Sequence, residues 1–172
     1  MTITKGFTLI ELLITLLILG ILLLVSTSSY QSLFAEQSIS HVVKQVYYTL
    51  KFAKSEAVKR NQRVYVQFCE QDKLWKMGIS DASGCDCFTP QSCLLGELEM
   101  VNELFDGPHL TINDGDIRFS GSQASYGPLR FSVETGSITF TNSKGKQLSV
   151  IQSAMRLRIC APDQDYMGYK QC

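Results

Sequence analysis

The sequence opens with MTITKGFTLIELLITLLILGILLLV at residues 1–25, and Phe7 to Val25 is apolar apart from Glu11 and two threonines. A membrane-spanning helix needs about 20 apolar residues, whereas the apolar region of a signal peptide has about 7–15. A charge at the helix centre is disfavoured by about 2.5–3.5 kcal/mol on insertion scales. The presence of Glu11 therefore indicates that the helix stays on the mature protein and that its carboxylate has a functional partner. An ordinary signal peptide, with Lys5 as its positive region, is the alternative.

The stretch from Lys5 to Glu11, KGFTLIE, resembles the prepilin signature of type IV pilins and type II secretion pseudopilins. The resemblance implies that a prepilin peptidase removes residues 1–6 by cutting after Gly6, and that Phe7 is then N-methylated. It also implies that Glu11 pairs with the N-terminal amine of a neighbouring pilin. Residues 7–29 would be a transmembrane helix in the inner membrane, with the head in the periplasm, and later part of the filament core.

After residue 29 the pattern becomes amphipathic, with apolar residues at steps of three and four, as on one face of a helix. We predict one helix from about Thr8 to about Arg60, whose amphipathic half spans residues 30–61. Its apolar face consists of Ile39, Val42, Val43, Val46, Leu50, Ala53 and Ala57.

Residues 62–172 predict a globular head of mostly antiparallel β-structure. Alternating residues at 63–68 and 74–79 indicate paired strands, and residues 81–92 form a loop rich in turn residues. Segments 110–112 and 117–119 flank a predicted hairpin turn at 113–116. Further strands are predicted at 128–133, 137–142, 147–151 and 155–160. The predicted fold class is α+β, a type IV pilin fold.

Further segments are similar to the GspH/FimT branch of minor pilins: residues 50–61, 117–119, 136–140 and 155–158. Together with the N-terminal signature, these cover most of the chain, except the cysteine-rich insert at residues 81–96. The resemblance implies a minor pilin that primes or joins the pilus, with its head at the tip or surface and other major and minor pilins as partners.

Six cysteines behind an export-type N-terminus favour disulfides in an oxidising compartment. A zinc site is the alternative, but the spacing of Cys85, Cys87 and Cys93 lacks the usual paired C-x-x-C knuckles, so no metal is expected. The family resemblance implies a Cys160–Cys172 bridge. Cys69 would then pair with one of the other three, and the remaining two with each other.

The formal net charge is zero, so any binding to nucleic acid requires a local patch. Some FimT-type pilins bind DNA through a Gly-Arg-x-Arg motif, which this chain matches, without the glycine, at Arg156 and Arg158. Together with Lys144, Lys146 and Lys170, these residues are candidates for weak, sequence-independent binding of double-stranded DNA during natural transformation. The alternative to DNA binding is that Arg158 is a solvated charge on an edge strand, which guards against pairing between sheets.

No common catalytic motif occurs in the sequence, so neither an enzyme nor a cofactor is expected. The predicted function is that of a minor type IV pilin. A type II secretion pseudopilin is the alternative with the same fold, and a secreted disulfide-rich binding module is the alternative from another class.

Overall fold

The computed structural model describes residues 8–105, 110–113, 115–129 and 132–172, and of residues 24–33 it describes the backbone alone. Its first element is one α-helix, α1 (Leu9–Arg60), whose 52 residues extend about 78 Å. The Thr8 hydroxyl caps the first turn by accepting from the N–H of Glu11. Asn61 ends the helix in the left-handed region at φ 52°, and its N–H bonds to the carbonyls of Ala57 and Val58. The predicted single helix is thereby confirmed.

The apolar face predicted for the second half of α1 is also confirmed. All seven of its residues, from Ile39 to Ala57, are at most 3% exposed and belong to the main hydrophobic core. Because they recur every three or four residues, they form one continuous stripe against the head. Among the helix side chains that the structure describes, those of the large apolar residues from Leu9 to Leu23 are exposed, and the first buried one is that of Ala35.

The head is built from short antiparallel strands. Those in the described residues are β1 (Val64–Gln71), β2 (Leu74–Ser80), β3 (Leu94–Leu95), β4 (Leu98–Glu99), β5 (Val101–Phe105), β6 (Leu110–Thr111), β7 (Gln123–Tyr126), β8 (Gly136–Asn142), β9 (Gln147–Gln152) and β10 (Leu157–Cys160). The first sheet has the order β5-β2-β1-β7, and the second has the order β10-β9-β8-β6. β3 and β4 form a separate hairpin within the cysteine-rich insert.

Both four-stranded sheets contact α1 and share one core. Phe105 of the first sheet meets Phe140 of the second edge to face, with ring centroids 6.3 Å apart. Buried residues alternate along β8, where Ile138, Phe140 and Asn142 point inward. The predicted α+β architecture, one long helix on an antiparallel head, is confirmed.

The predicted hairpin between residues 110–112 and 117–119 is wrong. Leu110 and Thr111 pair with β8 opposite Asn142 and Thr141, and Ile117 makes a bridge to Ile138 farther along the same strand. The chain therefore runs on along one edge of β8 without reversing. Asp116 closes the intervening turn by accepting from the main-chain N–H of Asn113 at 2.8 Å, while residue 114 lies outside the described residues.

The prediction of a strand at 128–133 is also wrong for the residues that are described there. Pro128 and Leu129 lie in a bend, and Val133 makes only an isolated bridge to Tyr126. The strand that completes the first sheet is β7, which the sequence pattern did not predict. The last predicted strand begins two residues later than expected, at Leu157, which leaves Arg156 in the turn before it.

Candidate functional site: an exposed apolar helix and the head that it carries

The first part of α1, from Leu9 to Leu23, is apolar apart from Glu11 and Thr15. From Leu9 to Leu23, every large apolar side chain is more than half exposed, and Leu9 is 78% exposed. A helix that is apolar all round is normally buried in a core or a membrane, and an exposed patch of this size marks an interaction site. Among the described residues, none of the helices contains an apolar stretch that meets the length and hydropathy needed to span a membrane.

Glu11 lies in the first turn of this helix and is exposed. Its main-chain N–H donates to Oγ1 of Thr8 at 3.4 Å. The N-terminus of a helix carries a partial positive charge, which stabilises a nearby carboxylate. Gly6 and Phe7, the predicted cleavage and methylation sites, lie outside the described residues.

The predicted DNA-binding residues do not form one patch. Lys144 and Lys146 lie in the turn between β8 and β9, where both main-chain N–H groups donate to Oδ1 of Asn142, at 3.0 and 2.9 Å. Lys170 lies near the same end of the sheet, because its carbonyl accepts from the N–H of Ala161, the residue after β10. Arg156 lies at the other end of β9, a separation of about 20 Å for a six-residue strand.

Arg158 is half-buried and already has a partner. Its guanidinium donates from Nη2 to the main-chain oxygen of Cys172 at 2.8 Å. A disulfide joins Cys160 to Cys172, which is the pair that the family resemblance implied. The N–H of Cys172 also donates to the carbonyl of Ala161 at 3.0 Å. Arg158 therefore acts in part as a clamp on the C-terminal segment.

The four remaining cysteines form two bridges, Cys69–Cys87 and Cys85–Cys93. They enclose a small apolar cluster of their own beside β2. Gly78 of β2 is needed there, because an added Cβ would overlap Sγ of Cys93 and lie 3.1 Å from Sγ of Cys85. The Cys69–Cys87 bridge thus ties the cysteine-rich insert to β1 of the first sheet, and the Cys85–Cys93 bridge closes a loop within the insert.

The described residues contain no group of three or more His, Cys, Asp and Glu side chains arranged to hold a metal ion. The acidic turn at 113–116 instead uses Asp116 to accept from the main chain and side-chain amide of Asn113.

One polar feature of the helix was missed in the sequence. Glu56 is only 7% exposed, and it accepts from Nε of Arg60 at 2.7 Å and from Nζ of Lys59 at 3.4 Å. The pKa of Glu56 lies below its usual value, chiefly because Arg60 donates a hydrogen bond to the carboxylate. Burial raises the pKa by a smaller amount, and the hydrogen bond and charge of Lys59 lower it. The i, i+3 and i, i+4 spacing of these three residues is the signal that could have identified them.

Two known family models match this chain. Residues 43–167 match the family described as type II transport protein GspH. The chain belongs to the GspH family. Residues 1–27 of this GspH-family chain also match the prokaryotic N-terminal methylation motif, which begins before the described residues and ends within α1. No significant match was found among curated proteins or among solved structures.

The two matches together identify the chain as a member of the type IV pilin and pseudopilin class, as its N-terminal signature predicted. The GspH match covers α1 from residue 43 onward and almost the whole head, while the methylation motif includes the exposed apolar side chains from Leu9 to Leu23.

Proposed function

We propose that this GspH-family chain is a minor type IV pilin that assembles through the first half of α1. The observation that supports the proposal best is the apolar surface from Leu9 to Leu23, where every large apolar side chain is more than half exposed. Insertion in the inner membrane before assembly, and packing against the helices of other pilins afterwards, would each cover that surface. The head would then lie in the periplasm before assembly and on the pilus, at its tip, afterwards.

Maturation by a prepilin peptidase is the first step of the proposed function. Cleavage after Gly6 would create a new N-terminal amine on Phe7, four residues before Glu11. A lone carboxylate in apolar surroundings is costly, and an opposite charge relieves that cost. Glu11 would thus favour the one register in which it meets the Phe7 amine of a neighbouring subunit. The role is structural and not catalytic.

Mass spectrometry of the mature chain tests this maturation. The expected mass is that of residues 7–172 with one N-methyl group and three disulfides. A mature chain that begins near Thr27 or Ser28 would instead support a secreted binding module with an ordinary signal peptide, and would contradict the proposal.

Assembly is tested by replacing Glu11 with Gln and measuring the amount of the chain in sheared pilus filaments. Loss of the charge should reduce incorporation severalfold, because the pairing with the neighbour's amine is removed. Glu36→Gln, on the same helix but outside the apolar half, is the matched control. Equal incorporation of Glu11→Gln and wild type would contradict the assembly role of Glu11.

A type II secretion pseudopilus is the second candidate for the filament, and the description of the matched family favours it. Deletion of the chain distinguishes the two. Loss of surface pili or of DNA uptake, with normal export of secreted enzymes, supports the pilus. The reverse pattern supports the pseudopilus.

We also propose that the lysine-rich end of the second sheet, formed by Lys144, Lys146 and Lys170, binds double-stranded DNA through its phosphates. All three lysines are exposed, whereas Arg158 donates to Cys172 and Arg156 lies at the far end of β9. In a gel-shift assay with the full chain in detergent, Lys144→Ala with Lys146→Ala should lower affinity more than Arg156→Ala does, and should flatten the salt dependence. Identical affinities for the two variants would remove this surface as a DNA site.

A further inference from the structure

A cavity lies beside the turn between β1 and β2, and none of the roles above uses it. Its volume is about 250 Å³. One wall comes from β1 and β2, with Phe68, Glu70 and Trp75, and another from the segment that follows β6, with Ile112 and Ile117. Pockets for drug-sized ligands measure about 300–1,000 Å³, so this cavity suits a ligand of only a few non-hydrogen atoms.

Glu70 interrupts the apolar pattern of the β1 wall. Val64, Val66 and Phe68 are buried on the core-facing side of β1, and Glu70 occupies the next position on that side. Glu70 itself is exposed. Within the part of the chain that the structure describes, its carboxylate has neither an ion pair nor a hydrogen bond. The carboxylate therefore stands at the mouth of the cavity with its oxygens open to a ligand.

Aromatic and aliphatic side chains adjoin this carboxylate. Trp75 lies directly opposite Glu70 in the β1–β2 ladder, where the Cβ atoms of paired residues are about 4.5–5.5 Å apart. Trp75 and Phe68 belong to the main core, and Ile112 and Ile117 pack against it. An aromatic ring attracts a cation within about 6 Å of its centre, and the attraction grows when the cation is desolvated. The cavity thus combines an anionic mouth with an apolar, aromatic wall.

The charges around the cavity favour a positively charged ligand. Residues 64–116 contain ten carboxylates and two lysines, and no lysine or arginine is among the described residues that line the cavity. Asn113 also lines it and donates its side-chain N–H to Asp116 at 3.2 Å, which leaves the amide oxygen as a further acceptor. A cleft whose charges have one sign raises the local concentration of the opposite sign.

We propose that this cavity binds a short aliphatic amine, in its protonated form, as a free small molecule. The ammonium group donates to the carboxylate of Glu70, and the alkyl chain lies against Trp75 and Phe68. A hydrogen bond between two charged groups is about twice as strong as one between neutral groups. The site lies in the head and does not depend on assembly of the chain into a filament.

Two other classes of ligand fit the cavity less well. A sugar ring stacks flat on an aromatic face, but Trp75 is only 8% exposed. A lysine side chain of a protein partner needs apolar anchors around it, because such contacts dominate protein interfaces. The large apolar side chains that the structure describes as exposed in the head are those of Leu98, Leu129, Met155 and Met167, and none of them lines the cavity.

Tryptophan fluorescence tests the proposal, because Trp75 is the single tryptophan of the chain. The full chain in an uncharged detergent is titrated with butylamine at neutral pH and constant ionic strength, and with butanol as the uncharged ligand of similar shape. We expect a saturable change in fluorescence with butylamine at millimolar concentrations, as for any ligand of this size, and none with butanol. Glu70→Gln should weaken the binding of butylamine by about tenfold, because the charged acceptor is lost.

Asp72→Asn is the matched control. Asp72 is exposed in the turn between β1 and β2 but does not line the cavity. Its φ of 52° is left-handed, a conformation that Asn also adopts readily. Binding of butylamine to this variant should stay within about twofold of wild type, since salt screens the exposed charge. Equal weakening in the two variants would mean that the acidic surface attracts the amine without the cavity, and would overturn the proposal.

The melting temperature supplies a second readout, because a ligand that binds only the folded chain raises it. Butylamine should raise the melting temperature of wild type and of Asp72→Asn, but not that of Glu70→Gln. Saturable binding of butanol or of glucose that is as strong as that of butylamine would overturn the proposal. Lysine with blocked main-chain groups that binds more than about tenfold tighter than butylamine would also overturn it, in favour of a protein side chain.

Discussion

The hydroxyl of Tyr126 donates a hydrogen bond to Oε1 of Gln152 across 3.2 Å in the buried centre of the head. Tyr126 belongs to β7 of the first sheet and Gln152 to β9 of the second, and each is 1% exposed. Burial raises the pKa of Tyr126, so the phenol stays protonated and remains a donor. The side-chain amide of Gln152 in turn donates to the carbonyl of Ser153. The bond from Tyr126 to Gln152 is thus a polar link between the two sheets, which also meet through the rings of Phe105 and Phe140.

We expect Tyr126→Phe to destabilise the head, because it leaves the buried Oε1 of Gln152 without its donor. The expected loss in the free energy of unfolding is about 1–3 kcal/mol. Urea unfolding of the full chain in detergent measures it, with Tyr48→Phe, at an exposed tyrosine, as the control. A loss of the same size in both variants would contradict the role of the buried bond.

The ion pairs of Glu56 predict a pH-dependent contribution to stability. Because the pKa of Glu56 is lowered in the folded chain, its contribution is present above the unfolded pKa of about 4.3 and is lost as the pH falls through the folded pKa. Glu56→Gln should therefore lower the melting temperature at pH 7, and the difference from wild type should disappear in acid.

Thermal unfolding at a series of pH values checks the Glu56 prediction. Glu97→Gln, in the exposed turn between β3 and β4, is the matched control and should lower the melting temperature at pH 7 less than Glu56→Gln does. A Glu56→Gln difference that persists unchanged below the folded pKa would mean that packing, and not charge, makes residue 56 important.

Gly78→Ala tests the fit of the cysteine-rich insert. Since an added Cβ overlaps Sγ of Cys93, the Cys85–Cys93 bridge and β2 cannot both keep their positions. We expect a loss of about 1–3 kcal/mol, as for overpacked cores, and free thiols in a fraction of the molecules. Thiol titration of the denatured, unreduced chain counts them. Gly20→Ala, where an added Cβ meets nothing within 4 Å, should be fully oxidised.

The C-terminal clamp can be dissected with two variants. Cys160→Ser with Cys172→Ser opens a loop whose closure is worth about 3 kcal/mol in an entropy model. Amide hydrogen exchange should become faster at positions 161 and 172, whose main-chain N–H groups donate to the carbonyls of Lys170 and Ala161. Arg158→Ala should produce the same local change to a smaller extent. Unaltered protection in the double variant would show that the hydrogen bonds suffice without the disulfide.

Much of the fold followed from local pattern. The spacing of Ile39 to Ala57 located the buried stripe, and the absence of Gly and Pro from Leu22 to Arg60 predicted an unbroken helix. β1 and β2 followed from alternation. These features depend on contacts between residues that are close in sequence, which is why periodicity reveals them.

Other features depended on distant partners. The turn residues at 113–116 suggested a local hairpin, but β8 offered both flanking segments a longer edge to pair with. β7 was missed because Gln123–Tyr126 is short and has no clear alternation, and it is a strand only because β1 pairs with it. Lys144 lies in the turn before β9 and Arg156 in the turn after it, so they are at opposite ends of that strand. Predicting this from sequence would require the bounds of β9 and β10 to within one or two residues.

The connection between α1 and the head has a mechanical consequence. Only residues 61–63 separate the end of the helix from β1, and β1 is held along both edges by β2 and β7. Tension applied along a filament made from such helices would enter each head at the start of this strand and load both ladders in shear. Any peeling of β1 would stop at Cys69, where the covalent bridge to Cys87 takes up the force. The disulfide would thus set a limit on how far the head can be extended before a covalent bond bears the strain.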